Sequence, residues 1–400
     1  MTSTSEKNLQ DIAQATVEIA RAKGANDAAG VVNRSRDVEV SWRDGKLEKI
    51  SEASTQSLQV QLYVDGRYAT ASTSDLRPEA ISRMIENSIS IARALALDPA
   101  RSLPHPSLYE GRESIDLELS DPSITALTST ERRGRAAALE AAVRSVKGAN
   151  KFNSVSTSWS DTSSETVRVH SNGFAGQRQE TFFAAYADAS ITDVDGRRPS
   201  GSFLSLVRFQ GELPSIDEIG RMAAEKTLSR LGTQKGASAS LPMIVENRVA
   251  GSLVRHLLAP LTAASLQQKR SLFEGKLGQP IGSKWLDFTD DPFVKRGLGS
   301  RHFDAEGITA RRHVIFSQGQ LQNFYIDNYY GKKLQEKPTT ASPSNLSWKL
   351  GTKNLDALMA EIADGVLVTG FLGGNSNSTT GDFSLGIEGF RIRKGRPAEP

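Results

Sequence analysis

The same order of elements can be read twice along this chain, and that repetition constrains the fold more than any other feature. Leu9, Ile12, Ala13, Ile19 and Ala20 recur at helical spacing, with Thr16 the one polar residue on the stripe and Gly24 placed to end it. Val38-Glu39-Val40-Ser41-Trp42 then alternates with period two and runs into Asp44-Gly45, a hairpin signal. Leu58 to Val64 alternates again up to Asp65-Gly66, and a helix starting near Pro78 carries Ile81, Met84, Ile85, Ala92 and Leu95 on one face. A proline-bearing stretch from 100 to 122 reads as a crossing between units. Beyond it a helix over about 130–146 precedes strands over 154–160, 165–170, 179–189 and 202–209, and a helix over 215–229 closes the second set. The two sets share architecture rather than residues.

From Gly236 the pattern changes. Helical periodicity is confined to 249–265 and 355–363, and short apolar runs such as 312–316, 320–325 and 366–368 alternate with glycine turns. Strands beside segregated helices predict an α+β protein, not a doubly wound sheet. The expected layout is an N-terminal α+β segment over 1–99, a proline-rich linker over 100–122, a central α+β segment over 123–235 and a β-rich C-terminal domain over 236–400.

Composition removes several function classes. The chain has no cysteine, which excludes a disulfide scaffold, an iron–sulfur protein and a thiol nucleophile. Its 49 Lys and Arg against 46 Asp and Glu leave a net charge of +3, too small for a nucleic-acid signature. The basic group Arg391, Arg393, Lys394 and Arg396 reads as a solvated end. No apolar run approaches the roughly 20 residues of a membrane helix, and Met1 to Gln10 is polar without a signal-peptide core. A soluble, cytoplasmic protein with no membrane contact is expected.

Generic catalytic motifs are missing too. There is no Gly-x-Ser-x-Gly elbow and no Walker loop. The five histidines are 105, 170, 256, 302 and 313, and no two stand three to five residues apart as a helical zinc pair would. His302 with Asp304 and Glu306 is the densest ligand-like cluster, although a polar strand end leading into Gly307 explains it more simply. His256 sits within Val249 to Leu261, the best helical candidate of the second half, which Pro260 should kink or end.

At this helix the chain resembles the TldD/PmbA family, and within it the TldE (PmbA)-like branch. The resemblance runs over nearly the whole chain. It is carried by Arg43-Asp44-Gly45, Tyr63 to Arg67, Ser158-Trp159-Ser160-Asp161 and Ser171-Asn172-Gly173. Its most specific part is C-terminal: Lys269-Arg270-Ser271, Leu277-Gly278, Gly297-Leu298-Gly299-Ser300, Phe303-Asp304-Ala305-Glu306-Gly307, Thr380 to Ser384 and Gly386 to Phe390. The resemblance implies a two-subunit peptidase in which a TldD-type subunit holds zinc through a His-Glu-x-x-x-His helix and a distant cysteine, and the glutamate handles the proton of the attacking water. A TldE-type subunit shares the fold and lacks the motif. The pair is thought to enclose a cavity for an extended peptide, recognised through its main chain by strand addition.

Aligned residue by residue, His256 in the first histidine's place puts Leu257 at the glutamate and Leu261 at the second histidine. A shift by one residue puts Arg255 first, His256 at the glutamate and Pro260 at the second histidine. Neither register keeps a zinc pair. No catalytic residue and no metal ligand is therefore assigned to this chain; zinc is expected in a TldD-type partner. His256, Asp304 and Glu306 are the candidates for lining the peptide cavity. The expected partners are that subunit and an extended peptide, with a homodimer when the chain is alone. Two other readings stay open: a self-sufficient hydrolase around His302, Asp304 and Glu306, and a regulatory or binding protein acting on DNA gyrase or toxin–antitoxin systems. Family members usually continue past the Gly-Phe strand, whereas this sequence stops at Arg396 to Pro400; a shortened chain would leave a sheet edge open.

Overall fold

The computed structural model describes residues 8–400, so most of the polar N-terminal stretch read above lies outside the described residues. The two sets of elements form one six-stranded antiparallel sheet. The first set is α1 (Leu9–Ala22), β1 (Asp27–Arg43), β2 (Lys46–Val64), β3 (Arg67–Thr73) and α2 (Pro78–Ala94). The second is α3 (Ser129–Ser145), β4 (Phe152–His170), β5 (Ala175–Ile191), β6 (Ser200–Val207) and α4 (Ile216–Leu228). The strand order is β3-β2-β1-β4-β5-β6, so the two three-stranded meanders meet along β1 and β4. The hairpin signals perform as expected: Asp44 and Gly45, and again Asp65 and Gly66, have positive φ in succession, as a tight two-residue hairpin requires.

Side-chain parity places all four helices on one face of the sheet. Ala28 and Val32 of β1, with Val167 and Val169 of β4, point into a core closed by α1 and α2. Val40 of β1, with Val155 and Trp159 of β4, has the same parity and points into a second core closed by α3 and α4. Thr16, the polar residue on the first stripe, is buried and donates its hydroxyl to the Ile12 carbonyl at 2.7 Å, which removes the cost of its burial. Between the two cores the same face is polar. Arg34, Arg36, Ser54, Gln56, Ser163 and Glu165 line a trough of about 630 Å³ there.

The opposite face carries the C-terminal half. Phe303 lies edge-on to Phe174 at 5.1 Å, in a notch that exists because residue 176 is glycine: a Cβ there would come within 2.6 Å of the Phe303 ring. Arg208, 1% exposed, donates from Nε to the Gly297 carbonyl and from Nη2 to the Leu298 carbonyl, both at 2.8 Å, while Nη2 also pairs with Glu180. The Gly297-Leu298-Gly299-Ser300 stretch thus lies against the sheet, and a Cβ on Gly299 would strike the Ser344 carbonyl at 2.4 Å.

The C-terminal half is built from small elements. In chain order they are β7 (Met243–Val245), α5 (Asn247–Leu258), α6 (Ala263–Gln267), β8 (Phe288–Asp290), β9 (His313–Ser317), β10 (Gln320–Leu321), α7 (Asn328–Leu334), β11 (Leu346–Trp348), α8 (Leu355–Ala360), β12 (Asp364–Ser376), β13 (Phe383–Arg393) and β14 (Arg396–Pro397). They make two four-stranded sheets, ordered β10-β9-β8-β11 and β14-β13-β12-β7, the pair β7 and β12 being parallel. Leu261, Phe273, Phe288, Ile315, Phe316 and Tyr325 form the main core here. Helices and antiparallel sheets, with a strand-rich C-terminal region, are the α+β class that the sequence predicts. As Pro260 requires, the helical pattern over 249–265 breaks into α5 and α6 around it.

Candidate functional site

His256 belongs to α5, and its ring stacks parallel on Phe383 with centroids 6.1 Å apart. Phe383 opens β13, and the β12–β13 turn is pinned near α5 because the Leu272 N–H donates to the Ser378 carbonyl at 2.8 Å and Ser378 Oγ donates to the Arg270 carbonyl at 2.9 Å. Leu253, His256, Leu257, Leu272, Asp382 and Phe383 wall a mostly apolar cleft of about 220 Å³. Its walls come from α5, from Leu272 just past the 269–271 segment of the resemblance, and from the 380–384 segment.

This is where zinc chemistry would be placed, and the residues present do not suit it. A zinc site takes three or four N, O or S donors on tetrahedral directions. In the first register Leu257 packs against the core and Leu261, fully buried, belongs to it. In the shifted register Pro260 is buried as well. Among the described residues no three His, Cys, Asp or Glu side chains come together as a metal site.

Asp304 and Glu306 lie elsewhere, in the loop facing the six-stranded sheet, and neither lines the His256 cleft. Asp304, 3% exposed, is saturated by its own loop and the next. Its Oδ1 accepts the N–H groups of Glu306 at 2.9 Å and Ile308 at 3.0 Å, and its Oδ2 accepts the Ala341 N–H at 3.0 Å and the Thr340 hydroxyl at 3.3 Å. It holds two loops together. Gly307 follows with φ +81°, against the Phe174 ring. Among the described residues the His302 side chain makes no hydrogen bond to Asp304 or Glu306; burial pushes its imidazole pKa down, and Nδ1 is enclosed without a partner.

Glu306 does line a cavity, a small polar one of about 120 Å³ at the junction of sheet, crossing segment and C-terminal half. Tyr63 and Tyr68 come from β2 and β3, Arg101 from the crossing, His170 from the end of β4, and Glu306 with Tyr329 from the C-terminal half. Glu306 Oε2 accepts the Asn328 N–H at 2.8 Å. Burial pushes its carboxyl up to about 7; Asp304 and Asp327 push the same way, while the Asn328 N–H and Arg168 oppose. Burial, with Arg168 beside it, pushes the His170 imidazole down to about 3, so the ring is neutral at physiological pH. Tyr109, itself pushed up to about 12 by burial, places its hydroxyl 3.0 Å from His170 Nδ1. Arg168 and His170 are the residues a reading of the sequence passes over. Their alternation on β4 puts them on one face, but nothing in the local sequence tells that Glu306 arrives opposite them.

Comparison with known proteins accounts for the shared segments. Models of three domains of one family match in order: PmbA/TldA metallopeptidase domain 1 over residues 29–92, the central domain over 122–231 and the C-terminal domain over 238–400. The chain is 28% identical to the metalloprotease PmbA of Escherichia coli O157:H7, covering 98% of this chain and 87% of that protein. A solved structure from Bacteroides thetaiotaomicron, described as a candidate modulator of DNA gyrase, is similar with TM-score 0.94 and 35% identity over all of this chain and 90% of that one. TldE of Thermococcus kodakarensis shares the fold, with TM-score 0.83 at 20% identity, covering 96% of this chain and 89% of that one. With the three domain models matched in order and a relative above 30% identity covering all of this chain and 90% of its own, the chain belongs to the PmbA/TldD family of metallopeptidases.

Proposed function

We propose that this chain is a TldE-like subunit of a two-subunit zinc metallopeptidase, itself non-catalytic, which completes a peptide cavity with a zinc-bearing TldD-type partner in the cytoplasm. Its substrates are unfolded or ribosomally made peptides. The observation that carries the reading is the state of α5. The positions that a zinc helix needs for its glutamate and second histidine hold Leu257 and Leu261, and both have been absorbed into the packing of the domain. An aliphatic helix face of this kind supports the fold of a cavity wall and offers nothing to activate water. The cleft beside it, apolar with His256 at its rim, suits passage of an extended chain past the partner's metal. Recognition through main-chain hydrogen bonds would explain a broad substrate range.

The test is co-expression with a member of the family that carries His-Glu-x-x-x-His. A complex eluting as one species, with peptide cleavage exceeding that of the partner alone, is the expected result. A partner that cuts equally well alone, with no complex formed, would refute the reading. Direct action on DNA is a separate matter, checked by a salt-dependent DNA-binding assay, in which no binding is expected.

A further inference from the structure

The cleft beside α5 has the form of a pocket for a single side chain. We infer that it selects one large apolar residue, Leu, Met or Phe, of an extended peptide in which a basic residue stands next to it. The inference rests on the peptidase reading, which supplies the extended peptide. Leu253, Leu257, Leu272 and Phe383 form the apolar walls. Leu257 and Leu272 pack against the buried core of the C-terminal half, so the cleft is formed before any ligand arrives. An apolar cavity of roughly 150 Å³ already holds a benzene-sized guest. The cleft, at about 220 Å³, therefore admits one side chain of that class. Water has room there but meets few polar partners, so an apolar occupant is favoured.

The polar groups of the cleft decide what accompanies that side chain. The Asp382 carboxylate accepts the Thr380 hydroxyl at 2.7 Å and pairs with no cation among the described residues. A lysine or arginine beside the seated residue complements that charge. His256 makes no hydrogen bond among the described residues, and its ring lies against Phe383, which leaves its nitrogens for the main chain of the peptide. The backbone of the wall is already committed: the Asn377 N–H donates to the Asp382 carbonyl and the Gly381 N–H to the Asn377 carbonyl, each at 2.8 Å. This wall offers no strand edge, so the cleft contributes choice of side chain and main-chain pairing comes from elsewhere. Phe383, Leu385 and Ile387 alternate along β13 and share a face, with Phe371 directly across from Ile387. That apolar track leads from the cleft for about 13 Å, a surface for the neighbouring residues of the peptide.

The test is ligand-observed NMR titration of the isolated full chain with three tetrapeptides, acetylated and amidated at their ends: Ala-Leu-Lys-Ala, Ala-Gly-Lys-Ala and Ala-Leu-Glu-Ala. Saturable binding of the first is expected, with the glycine peptide weaker by about tenfold or more. The glutamate peptide should be weaker by up to about fivefold, the range of an exposed ion pair. Leu253→Trp fills the cleft and should abolish the preference for leucine over glycine. Leu253→Asn adds no bulk and should reduce the same preference, so it serves if the tryptophan variant does not fold. Equal binding of the leucine and glycine peptides, or a leucine preference untouched by both variants, overturns the inference. A glutamate peptide that binds as tightly as the lysine peptide overturns the part assigned to Asp382. Should no peptide saturate while the chain self-associates in a manner that Leu253→Trp abolishes, the cleft belongs to a second copy and the inference is overturned. Failure here leaves the peptidase reading standing, since cleavage by the co-expressed complex decides that separately. A leucine preference in the isolated chain without any gain in cleavage would sink that reading and keep the pocket.

Discussion

Asp161 shows how one side chain of a shared segment can be essential for reasons of packing alone. Arg132 Nε and Nη2 donate to its two oxygens at 2.6 and 2.7 Å, while Nη1 donates to the Leu127 carbonyl at 2.7 Å. The two side chains are 3% and 1% exposed. Such a pair adds little over an apolar substitute, but removing one partner strands a buried charge, at about 3–5 kcal/mol. Asp161→Ala should therefore lower unfolding stability by that order in urea denaturation, whereas the exposed pair of Arg36 and Glu52 should yield less than about 1 kcal/mol on Glu52→Ala. Glu306 is the converse case. An ordinary glutamate titrates at 4.5 and this one at about 7, so the folded chain holds the proton more tightly than the unfolded chain does. The resulting stability is fully present below 4.5 and is lost as pH rises through 7, where the charge must sit in a buried site facing Asp304, Asp327 and Arg168. Gln at 306 keeps an acceptor for the Asn328 N–H without the charge. Glu306→Gln is expected to be near neutral at pH 4.5 and to stabilise by roughly 1–3 kcal/mol at pH 8. A variant less stable than the parent at pH 8 would count against this account.

At the scale of elements, close packing decides the sign of substitutions that helix propensity alone would misjudge. Gly134 in α3 is exposed, and a Cβ there would meet nothing within 4 Å. Gly220 in α4 faces α3, and its Cβ would approach Ala142 Cβ to 2.5 Å and the Val143 nitrogen to 2.7 Å. Replacing an interior helical glycine by alanine gains about 1 kcal/mol in propensity. Gly134→Ala should show most of that gain in thermal unfolding, while Gly220→Ala should instead lose about 1–3 kcal/mol because two helix backbones must part. The same contrast between local and tertiary causes explains what could be read in the sequence. Helices with apolar stripes and caps were legible almost to the residue: α2 starts at Pro78, and α3 follows Thr128, which forms a capping box with Glu131. Strands were legible only where one face is buried. β2 reads from Leu58 onward but begins at Lys46, because Ser51 to Ser57 carry no apolar side chain larger than that of Ala53 and are held by the ladder to β1 rather than by burial. For the same reason the two strands read over 154–160 and 165–170 are one, continuous through Thr162 to Ser164. α7, seven residues with Gly331 inside, carries no stripe long enough to detect. Of the candidate site, Asp304 and Glu306 stand out as a cluster, but Arg168 and His170 are more than a hundred positions away and join them only through the packing of the two halves.

At the scale of the molecule, buried polar contacts and surface ion pairs such as Arg296 with Glu118 and Glu212 fix the C-terminal half on the N-terminal half. Arg208 is the strut: fully buried, it spans from the Glu180 carboxylate to the carbonyls of Gly297 and Leu298, with its guanidinium 4.6 Å from the Phe182 ring. The Phe303 ring, seated against Gly176 and Phe174, is the apolar counterpart. Truncating Arg208 would leave Glu180 as a buried charge paired, among the described residues, with Arg178 alone, and would leave the Leu298 carbonyl without its donor while the Gly297 carbonyl keeps the Ser300 N–H. The sheet and its two helix-covered cores do not depend on this contact, since they close on the other face. Arg208→Ala should therefore loosen the halves without unfolding the sheet. Hydrogen exchange is the measurement: amides over 294–308 should lose protection while those of β1 and β4 keep it. Loss of protection throughout would show instead that the halves fold as one unit. If the looser variant also fails to raise the cleavage rate of a zinc-bearing partner, with complex formation retained, then the position of the C-terminal half on the sheet, and not merely its presence, shapes the peptide cavity.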